Sequence, residues 1–396
     1  YLRLFWQPVY RSADLVSGQA VPIAILGERF TLYRGEEGAP HLVAFRCAHR
    51  GTQLSTGWVE GDCIRCLYHG WKYEASGQCV EQPGEDESFA AKIKIAGYPV
   101  REYLGLVFAY LGEGGPPELR RYPDFERPGV IHAGAPEVWP CNYFNRMDND
   151  GDPQHTAFTH WESSVRANGA ARAPIVSCSA EETDYGLRTE SAQGDGRVTT
   201  VFVHMPNTLQ VRPRGRLEGE MGDAKKLAEG QFAVDRLTWR VPIDDDNCVA
   251  FGIELAHLSG EAAEAYRARA ARQEQLTSPA PSDLGEDVLA GRLRIRDADP
   301  RLNTFKLFWV EDYAAQVGQG VAADRSGEHL GQLDVSVILR RKIWLRELKA
   351  LAEGRPLKGW SQAQGLADGS VVEPSTMAVA EPGKASAHTL PEGDRA

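Results

Sequence analysis

Two short stretches of the chain each pair a cysteine with a histidine. The first, RCAHRG, contains Cys47 and His49, and the second, RCLYHG, contains Cys66 and His69. Two loops of this kind that face each other would present two thiolates and two neutral imidazoles. Two cysteines can hold one iron of a [2Fe–2S] cluster and two histidines the other, which raises the reduction potential above that of an all-cysteine cluster. The spacing therefore predicts a mixed-ligand iron–sulfur site.

A structural zinc ion bound by two cysteines and two histidines is the alternative for these four residues. Zinc fingers place two cysteines first and two histidines after them, whereas each half of this pattern contains one of each. Cys63 and Cys79 lie nearby but outside the pattern, and three further cysteines are scattered. Clustered cysteines in a chain of this size indicate metal or redox chemistry more often than disulfides.

A second stretch, DNDGDPQHTAFTH at 148–160, combines three aspartates with two histidines. The alternating aspartates resemble the start of a calcium-binding EF-hand loop. That interpretation fails because Pro153 replaces the glycine of the sharp turn and Thr159 replaces the bidentate glutamate. His155 and His160 are instead suitable as two neutral ligands of a ferrous ion, with a carboxylate from elsewhere in the chain as the third.

Purely structural roles are the alternative for this second stretch. A polar helix start followed by a half-buried helix with two satisfied histidines would use the same residue types, and a short histidine motif alone is weak evidence. Asp148 and Asp150 either orient the ligand rings or are simply solvated, and the sequence leaves both options open.

The composition excludes several classes of function. The chain has 396 residues, 42% of them hydrophobic and 25% charged, as in an ordinary globular protein large enough for two domains. A net charge of −11 argues against nucleic-acid or anionic-membrane partners, which are themselves negative. No apolar run is long enough to span a membrane. The start has neither a methionine nor a signal-peptide pattern, so we expect a cytoplasmic chain whose first residues are missing.

The elements that must position these residues fall into two regions. Residues 1 to about 115 contain short alternating runs between glycine turns, which predict small antiparallel strands. A Gly- and Pro-rich crossing at 112–129 marks the boundary, and strand patterns return at 130–258. Helices are predicted at 260–275 and at 334–354, the second with an N-terminal aspartate cap and a closing glycine.

The two motifs together resemble the catalytic subunits of Rieske non-haem iron ring-hydroxylating oxygenases, over residues 1 to about 350. The resemblance implies an α+β chain. An antiparallel-β Rieske domain would occupy 1–115. A catalytic domain, in which a curved antiparallel sheet grips a long helix, would occupy 116–358. The composition of 359–396 predicts a largely disordered tail.

The same resemblance assigns roles to residues. Cys47 and Cys66 would bind one iron of the cluster, and His49 and His69 the other. The segment FWVEDYAAQVGQG resembles the phthalate-dioxygenase-like branch and selects Asp312 as the third ligand of a mononuclear iron bound by His155 and His160. Adjacent Glu311 is expected to point to the other side. Asp152 would link this iron by hydrogen bonds to a Rieske histidine of the next subunit in a homotrimer, and Asn149 matches a polar position beside the iron.

The predicted function is that of a terminal oxygenase. It would use O2 and externally supplied electrons to hydroxylate or oxidatively demethylate a small aromatic, carboxylated substrate. Nothing in the sequence indicates nicotinamide or flavin binding, so NAD(P)H would act only through a separate reductase, with or without a ferredoxin. A Rieske-type electron carrier and an oxygenase of non-aromatic substrates are the alternatives. The length after residue 115 argues against a carrier.

Pocket residues are the least determined part of the prediction. Five aromatic residues are candidates, although apolar residues at such spacing belong to the core more often than to a pocket; they are Trp161, Phe202, Phe251, Phe308 and Trp309. Arg212 or Arg214 could clamp a substrate carboxylate, with a basic loop in solvent as the alternative.

Overall fold

Short antiparallel strands fill the N-terminal third of the chain in the computed structural model. The structure describes residues 1–166, 173–212, 234–277, 280–297 and 304–361. The first eleven strands are β1 (Gln7–Arg11), β2 (Ala20–Ile25), β3 (Glu28–Arg34), β4 (Pro40–Ala44), β5 (Trp58–Glu60), β6 (Cys63–Arg65), β7 (Lys72–Glu74), β8 (Cys79–Glu81), β9 (Gly97–Tyr98), β10 (Val100–Tyr103) and β11 (Leu106–Ala109). The strands predicted here from alternation and glycine turns are confirmed.

These strands form three small antiparallel sheets. Their orders are β2-β3-β4-β9, β5-β6-β7-β8 and β1-β11-β10. The two cysteine–histidine stretches are the loop after β4 and the loop that joins β6 to β7, so both lie at the ends of short strands. A short helix, α1 (Glu87–Ala90), follows β8.

The second region is built on an eight-stranded antiparallel sheet. Its strands are β12 (Val130–Ala133), β13 (Glu137–Trp139), β14 (Ile175–Glu182), β15 (Gly186–Gln193), β16 (Val198–His204), β17 (Thr208–Arg212), β18 (Asp235–Pro242) and β19 (Cys248–Ala256). The order is β12-β19-β18-β17-β16-β15-β14, and β13 pairs with β19 as well. Sheet and helices together confirm the α+β fold class.

Six helices of the described residues accompany this sheet. They are α2 (Tyr143–Gly151), α3 (His155–Phe158), α4 (Gly260–Thr277), α5 (Ser282–Leu289), α6 (Thr304–Gln316) and α7 (Val335–Ala352), and a π-helical segment covers Trp161–Arg166. The helices predicted at 260–275 and 334–354 are α4 and α7. One face of helix α7 is buried, with Arg340, Ile343 and Trp344. The Asp334 carboxylate accepts from the backbone N–H of Gly331 and forms no side-chain cap of α7.

The two regions share a hydrophobic core. Phe108 of β11 packs edge-to-face on Trp239 of β18, with ring centroids 5.6 Å apart. The same cluster contains Leu32, Leu106 and Leu237, each fully buried. Strands β1 to β4, β10 and β11 and the large sheet therefore cover each other's apolar faces. The domain limits of 1–115 and 116–358 remain a prediction.

Two further expectations concern the C-terminal tail and the absence of a membrane-spanning segment, and the structure describes only part of the residues involved. Residues 362–396, which include most of the tail predicted to be disordered, lie outside the described residues. Among the described residues, no helix combines the length and apolar character that a membrane crossing requires.

Candidate metal centres

The two cysteine–histidine loops have the same backbone frame. Cys47 accepts at its carbonyl from the N–H of Gly51 and donates its own N–H to Thr52 O. Cys66 is bonded in the same way to the residues four and five positions later, Gly70 and Trp71. Both glycines have φ near +74°, which residues with a Cβ adopt at a cost. The sequence pattern thus produces two matching turns, each with its cysteine at the start.

The loops bring the four predicted ligands together with sulfur inside and nitrogen outside. Cys47 is 3% exposed and Cys66 2%, whereas His49 and His69 are exposed with ring centroids 4.4 Å apart. Burial raises the pKa of the Cys47 thiol, and a bound cation would counteract this by stabilising the thiolate. Two buried sulfurs beside two neighbouring imidazoles fit a mixed-ligand cluster.

Two aromatic residues contact the predicted ligands. The Tyr73 hydroxyl lies 3.2 Å from Cys47 Sγ and 3.2 Å from the backbone N of Ala48, from which it accepts a hydrogen bond. The Trp71 ring stacks on His49, with centroids 4.6 Å apart and planes 10° apart. The sequence analysis did not identify Tyr73 as part of the site; its place three residues after Gly70 in WKY was the available signal.

The second site is built around a break between two helices. Asn142 caps α2 by accepting from Phe144 N at 2.9 Å, and α2 ends at Gly151. Asp152 precedes Pro153, which disfavours helical geometry, and has φ −100° and ψ 102°. Helix α3 then starts at His155. The five-residue step from His155 to His160 therefore crosses the end of α3, which is at Phe158.

His155, His160 and Asp312 converge, with one ligand atom from each within 4.8 Å of the others. His160 Nε2 and Asp312 Oδ1 are 3.5 Å apart, both are buried, and neither has a hydrogen-bond partner among the described residues. Buried polar atoms are nearly always paired, so two converging unpaired acceptors fit a cation between them. Two imidazoles and a carboxylate are the ligand set expected for ferrous iron with open positions.

Both imidazoles are held at their other nitrogen. His155 Nδ1 is hydrogen-bonded to the backbone carbonyl of Asp152, and its Nε2 lies 3.5 Å from Asn149 Nδ2. His160 Nδ1 lies 3.2 Å from Glu311 Oε2. Each Nδ1 thus faces an oxygen acceptor, and the Nε2 of His160 faces Asp312 Oδ1.

Glu311 differs from expectation in one respect. It does lie on the opposite side of the His160 ring from Asp312, as predicted for the adjacent residue. Its carboxylate is fully buried, however, and is bonded to that ring and to the start of the π-helical segment. The sequence analysis missed this role. The acidic pair at 311–312, with one side chain on each side of a ligand ring, was the available signal.

Asp312 is held from behind by a buried arginine. Arg146 Nη1 lies 3.6 Å from Asp312 Oδ2, donates to Gln316 Oε1 at 2.6 Å, and its guanidinium carbon lies 3.8 Å over the Trp139 ring. Burial lowers the pKa of Arg146 and outweighs the attraction of Asp312. Arg146 thus faces Oδ2 and leaves Oδ1 turned towards the histidines.

The other aspartates of the 148–160 stretch neither orient the ligand rings nor lie in solvent. Asp148 accepts from Arg325 at 2.9 Å and from Arg341 at 2.7 Å. Asp150 forms a two-bond ion pair with Arg240, at 2.7 and 2.9 Å. Both options considered from the sequence are therefore wrong, because distant arginines pair with these carboxylates.

The predicted pocket residues divide between core and site. Phe202 and Phe251 belong to the buried core, at 8% and 2% exposure. Phe308 stacks on His160, with centroids 3.4 Å apart and planes 9° apart, and is 41% exposed. Trp309 packs between Trp139 and Tyr313. The side chain of Arg212 and all of Arg214 lie outside the described residues.

Comparisons with known proteins agree with this geometry. Residues 5–103 match the Rieske [2Fe–2S] domain. The chain is 30% identical over 368 residues to the tert-butanol monooxygenase / tert-amyl alcohol desaturase oxygenase subunit of Aquincola tertiaricarbonis, covering 87% of this chain and 72% of that protein. It is 28% identical over 365 residues to the 5,5'-dehydrodivanillate O-demethylase oxygenase subunit of Sphingobium sp. (strain NBRC 103272 / SYK-6), covering 90% and 78%.

A solved structure shows the same fold. The oxygenase in an oxygenase–ferredoxin complex of carbazole 1,9a-dioxygenase has a TM-score of 0.60 and 20% identity, covering 91% of this chain and 92% of that one. The relatives confirm the family expected from the motifs. The chain belongs to the Rieske non-haem iron oxygenases, as a terminal oxygenase subunit whose cofactors are a [2Fe–2S] cluster and a mononuclear iron and whose co-substrate is dioxygen.

Proposed function

We propose that His155, His160 and Asp312 hold the mononuclear iron of this oxygenase. The observation that carries the proposal is a pair of buried atoms, His160 Nε2 and Asp312 Oδ1, which lie 3.5 Å apart and have no hydrogen-bond partner in the part of the chain that the structure describes. The iron, when bound, supplies the activation of dioxygen. The ligand set leaves coordination positions open for it.

Cys47 and Cys66 bind one iron of the cluster in this proposal, and His49 and His69 bind the other. The matched turns and the separation of buried sulfurs from exposed imidazoles support this assignment. Electrons then enter and leave on the imidazole side, because that side alone is accessible.

The protein's own part in the reaction is orientation and exclusion of water. Asp152 O and Glu311 hold the two ligand imidazoles, and Arg146 holds the outer oxygen of Asp312. Phe308 covers one face of His160 and is partly exposed, so it is placed to contact substrate. An apolar cover keeps water from competing for the open side of the site.

Asp152 connects the two metal centres between subunits of a homotrimer in this proposal. Its backbone carbonyl holds His155, and its half-buried carboxylate accepts from Gln154 N at 2.8 Å. Because His69 is exposed in the single chain, a neighbouring subunit has access to it. The Asp152→Asn variant should keep its iron and cluster but lose electron transfer between them, measured by single-turnover oxidation of the reduced cluster.

A separate protein supplies the electrons. We assign this role to a reductase that draws on NAD(P)H in the cytoplasm, with or without a ferredoxin. The exposed imidazoles support docking of such a partner at the cluster. The carbazole dioxygenase oxygenase, which shares the fold, forms a complex with a ferredoxin.

The proposed substrate is a small aromatic compound carrying a carboxylate, which is hydroxylated or oxidatively demethylated. The name of the dehydrodivanillate O-demethylase relative supports an aromatic ether. The name of the Aquincola relative makes tertiary alcohols the alternative class of substrate to be tested.

Metal content tests the iron site. The wild type, loaded anaerobically with ferrous salt, should hold three irons per chain, and His155→Ala and Asp312→Asn should hold two. Asp297→Asn is the matched control, because Asp297 is exposed and pairs with Arg294. Two irons in the wild type, with an intact cluster signal, would make the chain an electron carrier and refute the proposal.

Product analysis tests the substrate class. Benzoates, phthalates, methoxybenzoates and tert-butanol are incubated with a surrogate reductase under 18O2. Oxygen label or formaldehyde from an aromatic acid supports the proposal. Turnover of tert-butanol alone would contradict it.

A further inference from the structure

Glu311 is buried at the junction between the iron ligands and the π-helical segment. Its side chain has no exposed surface. One oxygen, Oε1, accepts from two backbone N–H groups, Glu162 N at 2.9 Å and Ser163 N at 3.0 Å. The other, Oε2, receives the Ser163 hydroxyl and faces His160 Nδ1 at 3.2 Å.

This division of the carboxylate fixes its orientation. Because both partners of Oε1 are backbone donors, only an acceptor can occupy that position. Oε2 is therefore always the atom presented to His160. An ionised carboxylate oxygen accepts only, so the ring proton must lie on Nδ1 and the lone pair on Nε2, towards Asp312.

We propose that Glu311 is a positioning residue that sets the tautomer of His160 and thereby makes its Nε2 available to a divalent metal. The inference rests on the proposed iron site and adds to it a residue that binds neither metal nor substrate. A ligand imidazole whose second nitrogen donates to a carboxylate is oriented and made more basic.

The Glu311→Gln variant is a sharp test because its shape is nearly that of glutamate. The amide oxygen must take the place of Oε1, facing the two backbone N–H groups. The amide NH2 then takes the place of Oε2 and donates to His160 Nδ1. The ring proton is forced onto Nε2, where it points at Asp312 Oδ1, 3.5 Å away, instead of leaving a lone pair for a metal.

Affinity for Co2+ alone is the readout, measured by anaerobic calorimetry on full-length protein with the cluster in place. We expect Glu311→Gln to weaken Co2+ binding by about 10- to 100-fold. Ser163→Ala is the matched control. It removes the hydroxyl's hydrogen bond to Oε2 and keeps the Glu311 carboxylate that faces His160, so its affinity should stay within about fivefold of the wild type. Equal weakening in both variants, or none in Glu311→Gln, overturns the proposal.

A measurement on the wild type covers the case in which Glu311→Gln does not fold. In metal-free protein labelled with 15N-histidine, a long-range 1H–15N spectrum reports which ring nitrogen carries the proton, and His160→Gln identifies the signal. A proton on Nδ1 is expected, and a proton on Nε2 refutes the inference. Failure of the iron site itself looks different: His155→Ala would then bind Co2+ as well as the wild type.

Discussion

Tyr73 and Cys47 are joined by a contact of 3.2 Å between the tyrosine oxygen and Sγ. Burial raises the pKa of Tyr73, so its hydroxyl stays protonated and donates to the sulfur when the sulfur is a ligand. A hydrogen bond to a ligand sulfur stabilises the reduced, more negative cluster.

Tyr73→Phe should therefore lower the reduction potential. If the hydrogen bond stabilises the reduced cluster by about 1 kcal/mol more than the oxidised cluster, its loss lowers the potential by roughly 40 mV for one electron. Protein-film voltammetry measures it. Tyr68→Phe is the control, since the Tyr68 hydroxyl accepts from Arg50 on the exposed side and should leave the potential unchanged. An equal shift in both variants would contradict the assignment.

The Asp150–Arg240 pair predicts a large effect on stability. Both side chains are 10% exposed or less. Burial opposes ionisation of Asp150, but the Arg240 guanidinium outweighs it and holds the pKa below its usual value. Asp150→Asn leaves a buried cation unpaired and should cost about 3–5 kcal/mol of unfolding free energy.

Urea unfolding checks this cost against an exposed pair. Asp195 and Arg197 are 41% and 67% exposed, so Asp195→Asn should leave the free energy of unfolding nearly unchanged. If Asp150→Asn costs as little unfolding free energy as Asp195→Asn, the buried pair does not stabilise the fold as predicted.

His204 predicts a loss of stability in acid. It is fully buried, and desolvation lowers its pKa from 6.5 to about 3. As the pH falls below 6.5, His204 therefore binds a proton in the unfolded chain but not in the folded chain. This group should remove about 1.4 kcal/mol of stability per pH unit between 6.5 and about 3.

His204→Gln should flatten that slope. Glutamine can still donate to Gln210, which lies 2.8 Å from His204 Nε2. The midpoint of urea unfolding, followed from pH 7 downwards, should fall less steeply in the variant. Parallel slopes would mean that His204 is protonated in the folded protein.

Phe308 predicts a change in coupling between electron use and product formation. It shields one face of His160 and is 41% exposed. Phe308→Ala should admit water to the site and raise hydrogen peroxide release per NADH several-fold, with metal content unchanged. Unchanged peroxide release with substrate present would place Phe308 outside the reaction cavity.

The sequence predicted best what short segments determine by themselves. Cys47 and His49, like Cys66 and His69, are fixed within loops of a few residues, whose turns depend on a nearby glycine. The histidine pair His155 and His160 likewise lies within one short segment of the sequence.

Contacts between distant segments were harder to predict. The sequence left open whether Asp148 and Asp150 orient the ligand rings or lie in solvent, but their partners are arginines of α7, of the segment before it and of β18. Glu311 does lie on the far side of the His160 ring from Asp312, as expected for the residue next to the ligand. Its bond to His160, 151 positions away, depends on how α6 packs against the π-helical segment.

The shared core limits how this protein can be divided or recombined. Leu106 and Phe108 on one side and Leu237 and Trp239 on the other are each covered by the opposing region. A fragment ending near residue 115 would show this apolar face to water and would aggregate rather than serve as a free-standing electron carrier. Chimeras that exchange the N-terminal region with a relative should fold only when the β18–β19 face is exchanged with it.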